Sequence, residues 1–135
     1  LSPEAENDAD AALESLGIAG LGDRDLTRLS DGEFQKACTA SALAGKAGVL
    51  LLDEPTAYLD AENRISVLGT LKKVARETET AIMFSSHDLS ESASVCDRVF
   101  AIGADGMFRC GSGDGDEKNK VISSIFRNKN IIFGG

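Results

Sequence analysis

The sequence lacks any apolar run near the roughly 20 residues that a membrane span needs, and no basic-then-apolar leader opens it. Positive charge is scarce: 14 Lys and Arg stand against 22 Asp and Glu, a formal net charge of −8. No basic stripe is then available to neutralise a phosphate backbone, which argues against nucleic acid as a partner. Cysteine is nearly absent, and Cys38, Cys96 and Cys110 lie too far apart for a C-x-x-C metal clip. An odd set of spaced thiols fits reduced, small buried hydrophobes in a cytoplasmic protein. His87 is the single histidine, so no imidazole cluster can form. No internal repeat and no sustained heptad pattern is visible. The first residue is Leu1 rather than Met, from which processing or truncation is expected.

What is present reads as globular. The 135 residues fit one ordinary domain, and 42% hydrophobic with 27% charged content excludes whole-chain disorder. Ser2-Pro3-Glu4 predicts a helix start, with Ala5, Ala9, Ala12, Leu13 and Leu16 on one face and Gly17 as its stop. Ser30-Asp31-Gly32-Glu33 has the form of a capping box opening a helix to about Ala44. Val49 to Leu52 is an unbroken apolar run, as expected of a strand buried on both faces. Asp60 caps a third helix with a stripe of Val67, Leu68, Leu71, Val74 and Ala75. A second buried strand is expected over Thr80 to Phe84, then a short helix capped by Asp88 and Glu91. A hairpin follows (Arg98 to Ile102 and Met107 to Cys110, around Gly103-Ala104-Asp105-Gly106), then a flexible link over Gly111 to Asp116. A last helix is expected from about Lys120 to Phe126, with an apolar tail Ile131-Ile132-Phe133. Alternation of strand and helix with short loops predicts an α/β fold with a mostly parallel sheet, and chemistry beyond the carboxyl ends of its strands.

Asp53-Glu54, and His87 in Ser85-Ser86-His87-Asp88, fall at those ends. An apolar strand that delivers two carboxylates to a rim can hold Mg²⁺ with one and orient water with the other. Taken alone, such a pair is more often an acidic loop at a strand end, and a lone histidine more often a structural or surface residue. The longer run Asp53-Glu54-Pro55-Thr56-Ala57-Tyr58-Leu59-Asp60 resembles the Walker B segment and aspartate loop of ATP-binding-cassette (ABC) ATPases. Leu29-Ser30-Asp31-Gly32-Glu33 is similar to that family's signature motif, and the Ser85 to Asp88 segment to its switch-histidine loop. Cys96-Asp97-Arg98-Val99 also matches the family's sequence after the histidine helix.

The resemblance implies the C-terminal part of a P-loop ATPase domain using ATP and Mg²⁺. It makes Glu54 the general base, His87 the γ-phosphate sensor and Asp53 a ligand of Mg²⁺ through water. Ser30, Asp31, Gly32 and Glu33 would reach the ATP of a second ATPase subunit in a head-to-tail dimer, with Asp60 at the dimer seam. The L-S-D-G-E form is typical of subunits that energise uptake of ferric siderophores, haem or cobalamin. Integral membrane permease subunits would be the further partners, with the ATPase peripheral on the cytoplasmic face. Phe34 and Ser41 depart from the family, which usually has arginine at both places. Segment 1–46 corresponds to the end of the helical subdomain and 47–135 to the end of the ATPase core. No G-x-x-x-x-G-K-[ST] phosphate loop occurs; Gly45-Lys46 lacks the earlier glycine and is followed by Ala47. The loop, the glutamine loop and the adenine-stacking aromatic are expected upstream of Leu1. Two other readings stay open: a non-catalytic half-cassette that lends its signature to a complete partner, and a soluble cassette ATPase of DNA maintenance. Long coiled-coil insertions are usual in the second, whereas Leu16 to Asp53 is compact here.

Overall fold

A computed structural model describes residues 2–126 apart from 104 and 114. The chain divides into two compact units, Leu1–His87 and Asp88 onward.

In the first unit, α1 (Pro3–Ser15) starts on Ser2, whose hydroxyl accepts from the Ala5 N–H at 3.3 Å. It ends as the glycine predicts. Gly17 sits at φ +69°, and the N–H groups of Gly17 and Ile18 return to the carbonyls of Glu14 and Leu13. That six-to-one plus five-to-two pair is a Schellman closure, which a left-handed residue makes possible. Short 3-10 turns at Ala19–Leu21 and Leu26–Arg28 lead to α2 (Asp31–Ala44). Strand β1 (Val49–Leu52), α3 (Ala61–Glu77) and β2 (Ala81–Phe84) follow. The two strands pair in parallel, Val49 opposite Ala81 through Leu52 opposite Phe84. Leu16, Ile18, Ala40, Leu59, Val67 and Leu71 form one core, with Leu16 and Val67 each 1% exposed. Leu52 and Ile82 pack against it.

The strands are not buried on both faces. Side chains alternate along a strand: Leu50 is buried, but Val49, Leu51 and Met83 are 63%, 75% and 54% exposed. The helical core covers one face only of this two-stranded sheet. In α3, Val67, Leu68 and Leu71 are buried as predicted, while Val74 and Ala75 are half-buried. The core of the first unit takes Ala12 and Ala40 from one side of the division expected near residue 46 and Leu59 and Val67 from the other.

The second unit contains α4 (Leu89–Val95), an antiparallel hairpin of β3 (Arg98–Ile102) and β4 (Phe108–Ser112), and α5 (Gly115–Phe126). Asp88 flanks α4 without a side-chain capping bond. The expected link over 111–116 is much shorter, because Gly111 and Ser112 extend β4 and α5 starts at Gly115 rather than near Lys120. Gly111 permits this: a Cβ there would lie 2.9 Å from Val121 Cγ2 and from the Glu117 carbonyl, so α5 can press onto the hairpin only over a glycine. Lys118, only 8% exposed, donates through Nζ to the carbonyls of Ala93 and Cys96 at 2.9 and 2.8 Å. Its buried ammonium is thereby hydrogen-bonded while closing the end of α4.

Cys38 and Cys110 are exposed and Cys96 half-buried, so they are not the small core residues expected. Cys38 lies on an outer face of α2 and Cys110 on the outward side of β4, where period alone decides exposure. Ala104 of the hairpin turn and the tail Ile131-Ile132-Phe133 lie outside the described residues.

Gly17→Ala should lower stability by about 1 kcal/mol, because alanine resists the left-handed conformation even where space is open. Gly20→Ala is the control: a Cβ there also meets nothing within 4 Å, and its φ is not left-handed. Equal urea midpoints for the two variants would show that α1 does not depend on its Schellman closure.

Candidate functional site

Because β1 and β2 run in parallel, their carboxyl ends reach the same edge. The ladder continues one step beyond them, with the Ser85 N–H donating to the Leu52 carbonyl at 3.0 Å. Asp53 and Ser85 therefore emerge side by side. The Ser85 hydroxyl donates to Asp53 Oδ1 at 2.5 Å and accepts from the Glu54 N–H at 2.9 Å. One hydroxyl, with one hydrogen and two lone pairs, thus organises both acids.

Glu54 adopts φ +45°, a left-handed conformation that a non-glycine residue holds only where its surroundings impose it, at roughly 1–3 kcal/mol. Both of its peptide groups are restrained. Its N–H is bound by Ser85, and its carbonyl accepts from the Ala57 N–H at 3.0 Å and from Gln35 Nε2 at 3.2 Å. The side chain turns to His87, with Nδ1 3.0 Å from Glu54 Oε1. An ionised carboxylate only accepts, so this contact assigns the hydrogen to Nδ1. The side chains of His87 and Glu54 are 80% and 46% exposed, which leaves the pair open to a ligand. Asp53, Glu54 and His87 are brought together as the strand-end reading predicts.

Among the described residues no group of three or more His, Cys, Asp and Glu side chains is arranged around a metal position. Asp53 is one exposed carboxylate at the rim. That donor set fits Mg²⁺, which is commonly held by one or two carboxylates together with waters and substrate phosphates, and does not make a cage by itself.

The signature-like residues form a second locus on the same unit. Ser30 caps α2 in a complete capping box: its hydroxyl accepts from the Glu33 N–H at 3.3 Å, and Glu33 Oε2 accepts from the Ser30 N–H and hydroxyl at 2.9 and 2.8 Å. These bonds hold the Glu33 carboxyl below its ordinary value of 4.5, the Ser30 N–H contributing most and Arg24 a little. Asp60 caps α3 through the Asn63 N–H at 2.8 Å, and that bond, aided by the Asn63 side chain and Lys36, lowers its carboxyl too. Ser30, Asp31, Gly32, Lys36, Tyr58 and Asp60 line an open pocket of about 490 Å³. Gly32 lets the segments approach: a Cβ there would lie 3.2 Å from the Tyr58 carbonyl and 3.3 Å from Leu59 Cδ2.

Two contributors escaped the sequence reading. Ser85 was legible as the residue one step past the Leu52–Phe84 pair, once the strands are registered. Gln35 had no local signal, since its contact with Glu54 spans 19 positions between separate elements.

The chain resembles known proteins in both sequence and structure. The family model described as "ABC transporter" matches residues 2–57. The chain is 42% identical over 97 residues to the cobalamin import ATP-binding protein of Halobacterium salinarum, covering 72% of this chain and 24% of that protein. It is 40% identical over 94 residues to the zinc import ATP-binding protein of Paracoccus denitrificans, covering 70% of this chain and 37% of the relative. The chain thus spans only a quarter to somewhat over a third of these relatives. Among solved structures, a metal-chelate type ABC transporter in an inward-facing conformation superposes with a TM-score of 0.74 at 27% identity, over 89% of this chain and 47% of that one. A dimeric ATP-binding cassette in a post-hydrolysis state, bound to ADP and phosphate, superposes at 0.60 with 29% identity, over 74% and 44%.

The capping box carries a pH signature. A carboxyl whose folded value is depressed stabilises the fold above its unfolded value, and that stability is lost as pH falls through the folded value. The urea midpoint should therefore drop on acidification below about pH 4.5, and the drop should shrink in Glu33→Gln, which keeps the box without a titrating group. Superimposable acid profiles would remove Glu33 as a source of the effect.

Proposed function

We propose that this chain, which belongs to the ABC transporter family, is the signature-to-switch portion of an ATPase subunit that energises import across a membrane. The observation that carries this reading is the 3.0 Å contact between His87 and Glu54 on the tips of paired strands, with Asp53 beside them. ATP supplies the transferable phosphoryl group, and Mg²⁺ neutralises its oxygens. Glu54 acts as the general base that takes a proton from the attacking water, through the carboxylate oxygen that His87 leaves available. His87 orients Glu54 and senses the terminal phosphate, and Asp53 is the metal-side carboxylate.

Ser30, Asp31, Gly32 and Glu33 serve the nucleotide of a second subunit, and Asp60 lies at the seam of that head-to-tail dimer. Both loci sit on exposed edges, and a related cassette that is dimeric with ADP and phosphate supports the arrangement. Permease subunits complete the assembly. No helix among the described residues is long and apolar enough to cross a membrane, so this portion would dock on such partners. For the cargo, the L-S-D-G-E form favours an iron compound or cobalamin. The cobalamin import relative agrees with it, while the zinc import relative at nearly the same identity gives no support to iron in particular.

Glu54→Gln in the intact subunit should reduce turnover by roughly 10²-fold or more while ATP still binds. Near-normal turnover, or loss of ATP binding instead, would take the base role away from Glu54. The 135-residue chain alone should bind Mg-ATP weakly, because backbone N–H groups and the lysine of a phosphate loop supply most of the grip. A micromolar dissociation constant by calorimetry on this chain would contradict that.

A further inference from the structure

The loop from Asp53 to Asp60 is tied at both ends to consecutive residues of α2. At its start, Gln35 Nε2 donates to the Glu54 carbonyl at 3.2 Å. At its end, Lys36 Nζ donates to Asn63 Oδ1 at 2.5 Å, and Asn63 in turn donates to both carboxylate oxygens of Asp60. Between these ties the loop is shaped by two left-handed residues, Glu54 at φ +45° and Tyr58 at φ +61°, neither of them glycine. Left-handed torsions at such residues persist only under outside restraint. Three restraints act on the Glu54 peptide groups: Ser85 just past β2, Ala57 from within the loop, and Gln35 from α2. Gln35 is the only one of the three that belongs to the helix whose first turn carries Ser30 to Glu33.

We propose that Gln35 is a positioning residue for Glu54, and that Gln35 with Lys36 makes α2 the element that sets the direction of the Glu54 carboxylate. The inference rests on the reading of Glu54 as general base. Gln35 never touches the reacting atoms. Its amide holds the Glu54 carbonyl, and through the restrained backbone it fixes where the side chain leaves the chain relative to His87. A movement of the first turn of α2, the turn that would meet a neighbouring nucleotide, then reaches the base of the same subunit through one helical turn and one hydrogen bond. The coupling is mechanical and short: Glu33 in the capping box and Gln35 are two positions apart on one rigid helix.

The test is steady-state kinetics on the intact ATPase subunit with three variants. Gln35→Met keeps length and apolar contact and removes the donor; kcat should fall about tenfold, the effect of a modest misplacement of a reacting group, with KM for ATP unchanged. Gln35→Glu places an acceptor against the Glu54 carbonyl when ionised and a donor when protonated. Its kcat relative to wild type should therefore rise as pH is lowered, a recovery that a purely structural role for Gln35 does not produce. Glu54→Gln is the reference that separates the two ideas. Wild-type kcat in Gln35→Met, or a flat relative profile in Gln35→Glu, combined with an inactive Glu54→Gln, would overturn the positioning role and leave the base in place. An active Glu54→Gln would overturn both. If Gln35→Met does not fold, the pH profile of Gln35→Glu decides.

Discussion

The parallel pairing of β1 with β2, carried one residue beyond the strands by the Ser85 N–H on the Leu52 carbonyl, is the constraint on which the candidate site depends. Two segments separated by a seventeen-residue helix are made to end at one level. Once they do, Asp53 and Ser85 are neighbours by register and need no further recognition. The Ser85 hydroxyl then reaches the next peptide group and turns the chain at Glu54. A slip of one residue in this register would send Asp53 to the opposite face and leave Glu54 without the bond to its N–H. A one-residue slip of either strand would also turn Leu52 or Ile82 away from the helical core against which both pack.

Much of this was legible in the residues. The capping residues Ser2, Ser30 and Asp60 and the stop at Gly17 announce helix ends by local chemistry, and each performs that role. The strand tips were legible because an apolar run that stops at charged residues has few alternatives. Exposure was not. An unbroken Val-Leu-Leu-Leu run carries no period, so it cannot say that Leu50 would be covered and Leu51 left 75% exposed; only the number of layers present decides that. The start of α5 was obscured by glycine and aspartate, residues that read as a link yet serve at the first turn of a helix. The contact of Gln35 with Glu54 lies beyond local reading altogether, since nothing near either residue in the chain hints at the other.

The two loci on the first unit differ in how their acids are held. Glu33 and Asp60 are spent on helix caps: hydrogen bonds from backbone N–H groups keep them ionised and aimed at their own backbones. Their negative charge is then partly matched by helix N-termini rather than displayed to a ligand. The carboxylate of Glu33 is directed into the Ser30 peptide and hydroxyl rather than outward. Asp53 and Glu54 are different. Asp53 has one oxygen bound by a hydroxyl, and Glu54 has one bound by an imidazole, which leaves capacity on both.

His87 imposes the last condition. With Nδ1–H given to Glu54, a neutral ring presents only a lone pair at Nε2, and a lone pair repels a phosphate oxygen. On the proposed reading, contact with Glu54 and a terminal phosphate at once would require hydrogens on both ring nitrogens.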